Sequence, residues 1–317
     1  MQTVAELGLH FGIRATCAAV GLTRATYYRR RRPARTPSRR TSPRALGPKE
    51  RQRVLDVLHE ERFVDKAPAQ VYATLLDERI YLCSIRTMYR ILAENQEVRE
   101  RRNQLRHPNY PVFELFATRP NQLWSWDNPK LLGPAKWTYY YLYVILDVFS
   151  RYVVGWMVAH RESATLAKRL MEQTCRPQGI APGQLTVHAD RGSAMTSKTL
   201  AFLLADLGVT KTHSRPHVSN DNPFSEAQFK TLKYRPDFPD CFGSPEDARA
   251  FSERFFRWYN TEHRPSGLAL LTPHDVHHGL AGERIALRCD VLAAAYAAHP
   301  ERFPRRLPQP PELARAV

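Results

Sequence analysis

Apolar residues recur at helical spacing through the first third of the chain and at strand spacing through its middle. Ile13, Cys17 and Val20 line one side of a helix over 13–20. Gly21 then supplies a turn, and 22–32 form a second, basic helix with Thr23 as N-cap and Leu22, Ala25 and Tyr28 turned inward. A further helical unit follows at 49–61 (Val54, Leu55, Val57, Leu58), 69–78 (Val71, Leu75, Leu76) and 84–95 (Ile85, Met88, Ile91, Leu92), the last capped by Ser84. Beyond 122 the texture changes. Segments 122–127, 137–147 and 151–159 are rich in aromatic and β-branched residues, and a turn at 149–152 joins the last two as a hairpin. Helix 165–175, strand 185–189, helix 196–207 and strand 209–214 then alternate. A meander followed by αβαβ predicts a mixed sheet with helices packed on it. From Phe303 onward, Pro304, Pro308, Pro310 and Pro311 predict a disordered tail.

Charge narrows the choice of partner. The 317 residues carry 47 Lys+Arg against 31 Asp+Glu, a formal net charge of +16, and the pI is about 9.9. Residues 1–106 hold 22 basic and 11 acidic residues, and 24–53 alone hold twelve basic residues and one acid. Prolines punctuate that stretch, so it reads as a flexible basic linker. Such a field calls for a polyanion, either nucleic acid or an anionic membrane. No run approaches the roughly 20 apolar residues of a membrane span, and no secretory signal is visible at the start. Nucleic acid is the better reading. Arg24, Arg29 and Arg30 are expected to face DNA from the first unit, and Arg86 and Arg90, at i, i+4 spacing, from the second. Cys17, Cys83, Cys175, Cys241 and Cys289 show no paired spacing, which fits a reducing cytoplasm and a buried structural role for each.

Three acids stand where chemistry is expected. Asp127 ends the first strand, Asp190 ends the fourth, and Glu226 opens a helix after Asn222-Pro223. Carboxylates are the hard oxygen ligands that Mg²⁺ takes, and two ions about 3.5–4 Å apart can drive phosphoryl transfer. Lys230 and Lys233 lie four and seven residues beyond Glu226, on one helical face suited to phosphate contacts. Asp147 and Asp221 sit at corners and are left out of the metal site. His188 is expected to face the side that Asp190 faces, as a packed histidine or one that supports a ligand, and not as a ligand itself. His263 and Arg264 fit either DNA contact or structure.

These residues carry a resemblance. Thirty-five residues separate Asp190 from Glu226, which resembles the D,D-35-E signature of the retroviral-integrase and transposase superfamily. Asp221-Asn222-Pro223, Glu226-Ala227, Phe229-Lys230 and Leu232-Lys233, followed by Trp258-Tyr259-Asn260, His263-Arg264, Ser266-Gly267-Leu268 and Thr272-Pro273, are similar to the OrfB-type catalytic product of insertion-sequence-three transposases. The resemblance covers roughly 50–278. It implies an α/β ribonuclease-H-like core, a five-stranded mixed sheet with flanking helices, preceded by helix-turn-helix modules. It also implies a DDE transposase that uses two Mg²⁺ (or Mn²⁺) ions, held by Asp127, Asp190 and Glu226, for cleavage and strand transfer. The implied partners are double-stranded DNA, as element terminal repeats and target, and further copies of the chain on that DNA, with no membrane.

The resulting division is 1–48 for the first helix-turn-helix and basic linker and 49–108 for the second DNA-binding module. The core with its helical segment takes 119–278, and 279–317 form a C-terminal extension. Two departures keep a second reading open, that of a catalytically weak or inactive transposase-derived DNA-binding protein. Pro129 should force a bulge if the first strand continues toward Leu131, and Pro265 follows His263-Arg264. Leucine-zipper heptads of the fused family product are also missing, as in a partial product.

Overall fold

The computed structural model describes residues 2–31, 42, 44–97, 116–189, 198–213, 223–303 and 306–317. It divides into two compact units, Met1–Ala45 and Leu46–Val317.

The first unit holds three helices, α1 (Gln2–Phe11), α2 (Ile13–Ala19) and α3 (Arg24–Arg31). Val4, Cys17 and Tyr27 are its buried core. Gly21 turns the chain between α2 and α3 at φ +67°, where a side chain would be strained. Thr23 caps α3 by accepting from the Thr26 N–H at 3.3 Å. Two expectations are corrected. A helix precedes the first expected one, and Tyr27, not Ala25 or Tyr28, packs inward, since both of those are exposed. The helix starts at Arg24, which shifts its apolar phase by one position. Arg24, Arg29 and Arg30 are exposed.

The second unit opens with α4 (Pro48–Leu58), α5 (Pro68–Asp77) and α6 (Ile85–Glu94), closed around Val54, Leu58, Val71, Leu75, Met88 and Ile91. Ser84 caps α6, and Arg86 and Arg90 are exposed one turn apart. The sheet follows: β1 (Leu123–Asp127), β2 (Lys130–Leu132), β3 (Tyr139–Asp147), β4 (Val153–Ala159), β5 (Thr186–Ala189) and β6 (Thr210–His213). Its path is β2-β3-β1-β5-β6, with β4 on β3. The β3 pairs are antiparallel; β1–β5 and β5–β6 are parallel.

Six strands stand where five were expected, and the extra one corrects a second expectation. Asp127 faces Val144 and Lys130 faces Tyr141, the pairing of one unbroken run along β3. Asn128-Pro129 therefore interrupts a strand without bulging it. The Pro129 carbonyl still accepts from the Leu142 N–H at 3.0 Å, so proline forfeits only the return bond.

The helices α7 (Ala164–Gln178) and α8 (Lys198–Asp206) cover one face of the sheet, over Trp124, Trp126, Tyr143 and Ile145. On the other face α9 (Pro223–Lys233) and α10 (Pro245–Thr261) cover Leu142, Val144 and Leu146. The chain closes with α11 (Pro273–His277) and α12 (Ala281–Ala298). The expected disordered tail is corrected as well. Ala117 and Val317 exchange two backbone hydrogen bonds of 2.9 Å, and Leu313 and Val317 pack against a buried cluster around Leu123 and Phe149. Cysteine burial holds for Cys17, Cys83 and Cys175, whereas Cys241 is exposed and Cys289 half-buried.

A buried ion cluster ties α5 to the C-terminal helices. Arg288, 1% exposed, donates to both Asp77 carboxylate oxygens at 2.6 and 3.0 Å and to the Ala269 and Leu270 carbonyls. Arg264 adds a 2.9 Å bond to Asp77. Burial alone would raise the Asp77 pKa, but Arg288 and Arg264 hold it below its ordinary value. His263 packs on Trp258 and Tyr259, so both residues left open between DNA and structure make structural contacts.

Candidate active site

Side chains alternate along β1, and the alternation assigns its chemistry. Trp124 and Trp126 enter the core under α7 and α8. Ser125 takes the opposite face, where its hydroxyl meets that of Ser225 on α9 at 2.6 Å, both buried. Asp127, two residues on, shares the Ser125 face and is half-buried at the end of the strand. Its Oδ1 accepts from the Asn128 N–H at 2.7 Å, while the Trp126 indole N–H donates to Asn128 at 2.9 Å.

Glu226 is next to Ser225, in the first turn of α9, and half-buried. Pro223 starts that helix, its fixed φ and missing N–H suiting the first position. The helix dipole favours a carboxylate there. The serine pair thus seats the end of α9 that carries Glu226 against the strand that carries Asp127. Strand β5 runs parallel to β1 with Ala189 beside Trp126, and the chain then enters Asp190. Asp190 itself lies outside the described residues, as does Asp221. Lys230 and Lys233 are exposed in the last turn of α9.

The donor set suits a hard divalent cation, because Asp127 and Glu226 offer carboxylate oxygen only. Among the described residues no group of three or more His, Cys, Asp or Glu stands close enough to hold a metal. His188 is buried and bonds Thr212 at 3.0 Å, a packed residue as expected.

Asp147 is at the other end of the sheet, opposite Trp124. It is fully buried and accepts from Ser150 N–H and Oγ and from Asn121 N–H, each at 2.7 Å. Ser150 Oγ also lies 2.9 Å from His277 Nδ1. Burial raises the Asp147 pKa and, with the charges of His278 and His274, pushes His277 down to about 4. This is a corner network, consistent with leaving Asp147 out of the metal site.

Sequence patterning missed Ser125, Ser225 and Gln228, the polar residues under the acids. Gln228 is 1% exposed, one turn beyond Ser225, and among the described residues neither of its amide atoms meets a hydrogen-bond partner.

A β-meander extended by parallel strands, with an acid ending β1 and another opening a helix laid on it, defines an integrase-type, ribonuclease-H-like core. Residues 117–219 match a family model described as integrase core domain, and 207–273 match a second of the same description. The transposase for insertion sequence element IS904 of Lactococcus lactis subsp. lactis (strain IL1403) is 34% identical over 173 residues, 54% of this chain and 67% of that protein. Transposase InsF for insertion sequence IS3A of Escherichia coli (strain K12) is 29% identical over 161 residues, 50% of this chain and 55% of that protein. The cryoEM structure of a simian T-cell lymphotropic virus intasome with PP2A regulatory subunit B56 gamma aligns over 67% of this chain and 74% of that one. Its TM-score is 0.42 at 19% identity, too weak to bear on the fold, which rests on strand order. The chain belongs to the IS3 family of insertion-sequence transposases, DNA-acting proteins of the polynucleotidyl-transferase class.

Proposed function

We propose that Asp127, Asp190 and Glu226 form the reaction centre and hold two Mg²⁺ or Mn²⁺ ions for cleavage of the element's ends and strand transfer into target DNA. The observation that carries this reading is the Ser125–Ser225 contact, which supports Asp127 and Glu226 acting on one side of the sheet. The parallel pairing of β5 with β1 supports the third acid joining them. Bound there, the ions supply Lewis-acid stabilisation of the attacking and leaving oxygens. The chain's own part is to fix three carboxylates, and to hold DNA phosphates through Lys230 and Lys233 without reading bases.

In this reading 1–48 and 49–108 bind the terminal repeats, with Arg24, Arg29, Arg30, Arg86 and Arg90 on the DNA. Residues 119–278 carry out the reaction, and several copies assemble on the DNA in the bacterial cytoplasm. Among the described residues no helix is long and apolar enough to cross a membrane. The in-register strand through Pro129 favours an active enzyme over a transposase-derived DNA-binding protein. Asp127→Asn, Asp190→Asn and Glu226→Gln are each expected to abolish cleavage of element-end DNA in Mg²⁺ while DNA affinity stays within about twofold of the wild type's. Cleavage at the wild-type rate by any one of them removes that residue from the centre.

A further inference from the structure

The hairpin between β2 and β3 carries a feature that neither core packing nor the acid site uses. Trp137 is 77% exposed at its tip and has φ +71°, a conformation disfavoured for a bulky residue. The tip is nonetheless fixed. Gly133 N–H donates to Thr138 O at 2.9 Å, Thr138 N–H to Ala135 O at 3.0 Å, and Ala135 N–H to Thr138 Oγ1 at 3.0 Å. A Cβ on Gly133 would stand 2.6 Å from Thr138 Oγ1, so the turn needs glycine there. The indole is thus held outward by a rigid loop.

The chemistry around it is of one kind. Lys136 lies 5.6 Å from the Trp137 ring, and Lys130 lies 5.6 and 5.7 Å from the rings of Tyr139 and Tyr141. Residues 128–146 contain no acid. Among the described residues neither lysine pairs with a carboxylate. Exposed cations beside one open indole face suit a nucleic-acid strand, with phosphates on the lysines and a base on the Trp137 ring.

We propose that this tip is a base-stacking contact, in which Trp137 stacks on an unpaired base near the element end and Lys136 and Lys130 hold the adjacent phosphates. The strand runs on from Asp127 to Leu132 in register, roughly 17 Å at about 3.3 Å per residue. Trp137 lies beyond that end of the strand, so at ~3.4 Å per nucleotide step the stacked base lies at least about five nucleotides from the reacting phosphate. The position of that base rests on Asp127 belonging to the reaction centre; the contact itself does not.

The test is affinity for two element-end duplexes, one fully paired and one with an unpaired 2-aminopurine about five nucleotides from the cleaved bond. Wild type is expected to prefer the second roughly tenfold or more, with quenched 2-aminopurine fluorescence. Trp137→Ala is expected to lose the preference and the quenching, and Trp137→Phe to keep most of both. Asp127→Asn, which tests the metal centre separately, is expected to retain the preference. Equal affinity of the wild type for both duplexes, equal losses by Trp137→Ala on both, or unchanged quenching overturns the proposal.

Discussion

Ser125 and Ser225 share a buried 2.6 Å hydrogen bond across 100 residues of sequence, joining the strand that ends in Asp127 to the helix that presents Glu226. A hydroxyl pair in the interior is short and directional, so it sets spacing more tightly than apolar contact does. Ser125→Ala and Ser225→Ala are each expected to lower stability by about 1 kcal/mol. The double-mutant cycle should return a coupling of similar size in denaturant melts. Strand transfer is expected to drop further, on the order of a hundredfold for a displacement of about 1 Å. Zero coupling, or single variants with full activity, would detach the pair from the site.

Asp77 holds the buried Arg288 and the half-buried Arg264, and the asymmetry of buried ion pairs sets what its loss does. Removing one partner strands the other's charge away from water, at a cost of about 3–5 kcal/mol. Asp77→Ala is therefore expected to destabilise the Leu46–Val317 unit by that much in chemical denaturation. Arg288→Lys keeps the charge and loses the two-pronged geometry, so it should fall between Asp77→Ala and the wild type. An Asp77→Ala protein within about 1 kcal/mol of the parent would mean that the cluster relaxes into solvent.

Much of this was legible in sequence because burial imposes a period. Trp124 and Trp126 flank Ser125 at the two-residue period of a strand, and Val54, Leu58, Met88 and Ile91 recur as helix faces do. What escaped lacks a period. Three-residue β2 is too short to alternate, and Pro129 hid its continuity with β1. Tyr27 and Tyr28 are adjacent and chemically alike, so only the start of α3 decides which is buried. The proline-rich end looks unstructured by composition, yet Leu313 and Val317 suffice to dock it. Within the candidate site the acids stood out by spacing, whereas Ser125, Ser225 and Gln228 depend on a strand and a helix meeting, which no local pattern encodes.

The Asp147 corner predicts an acid limb. His277 faces Asp147, His274, His278, Tyr152 and Ser150, with its ring stacked on Tyr152 at 4.5 Å. Its pKa is pushed from 6.5 to about 4 in the fold. The folded value is below the unfolded one, so its contribution is fully present above about pH 6.5 and lost as pH falls toward 4. That loss is up to about 3 kcal/mol. His278 shifts the same way, while the raised pKa of Asp147 acts in the opposite sense as pH falls. His277→Gln should flatten the decline in Tm between pH 7 and pH 5, and a parallel decline in both proteins would assign the limb elsewhere.

Gln228 is the sharpest conflict between folding and use. It lies on the buried side of α9 with both amide atoms unpaired among the described residues, and an unmet buried polar group costs about 1–3 kcal/mol. Methionine has nearly the same shape and no polar end to desolvate. Gln228→Met is therefore expected to raise stability by about 1–2 kcal/mol, seen as a higher Tm. A group retained at such a cost, one turn from the Ser125–Ser225 seat and two residues from Glu226, points to a role in the DNA-bound state. Strand transfer by Gln228→Met is accordingly expected to fall even as Tm rises. A lower Tm would mean that the amide is satisfied in the folded protein. A higher Tm with full strand transfer would mean that Gln228 has no part in the reaction.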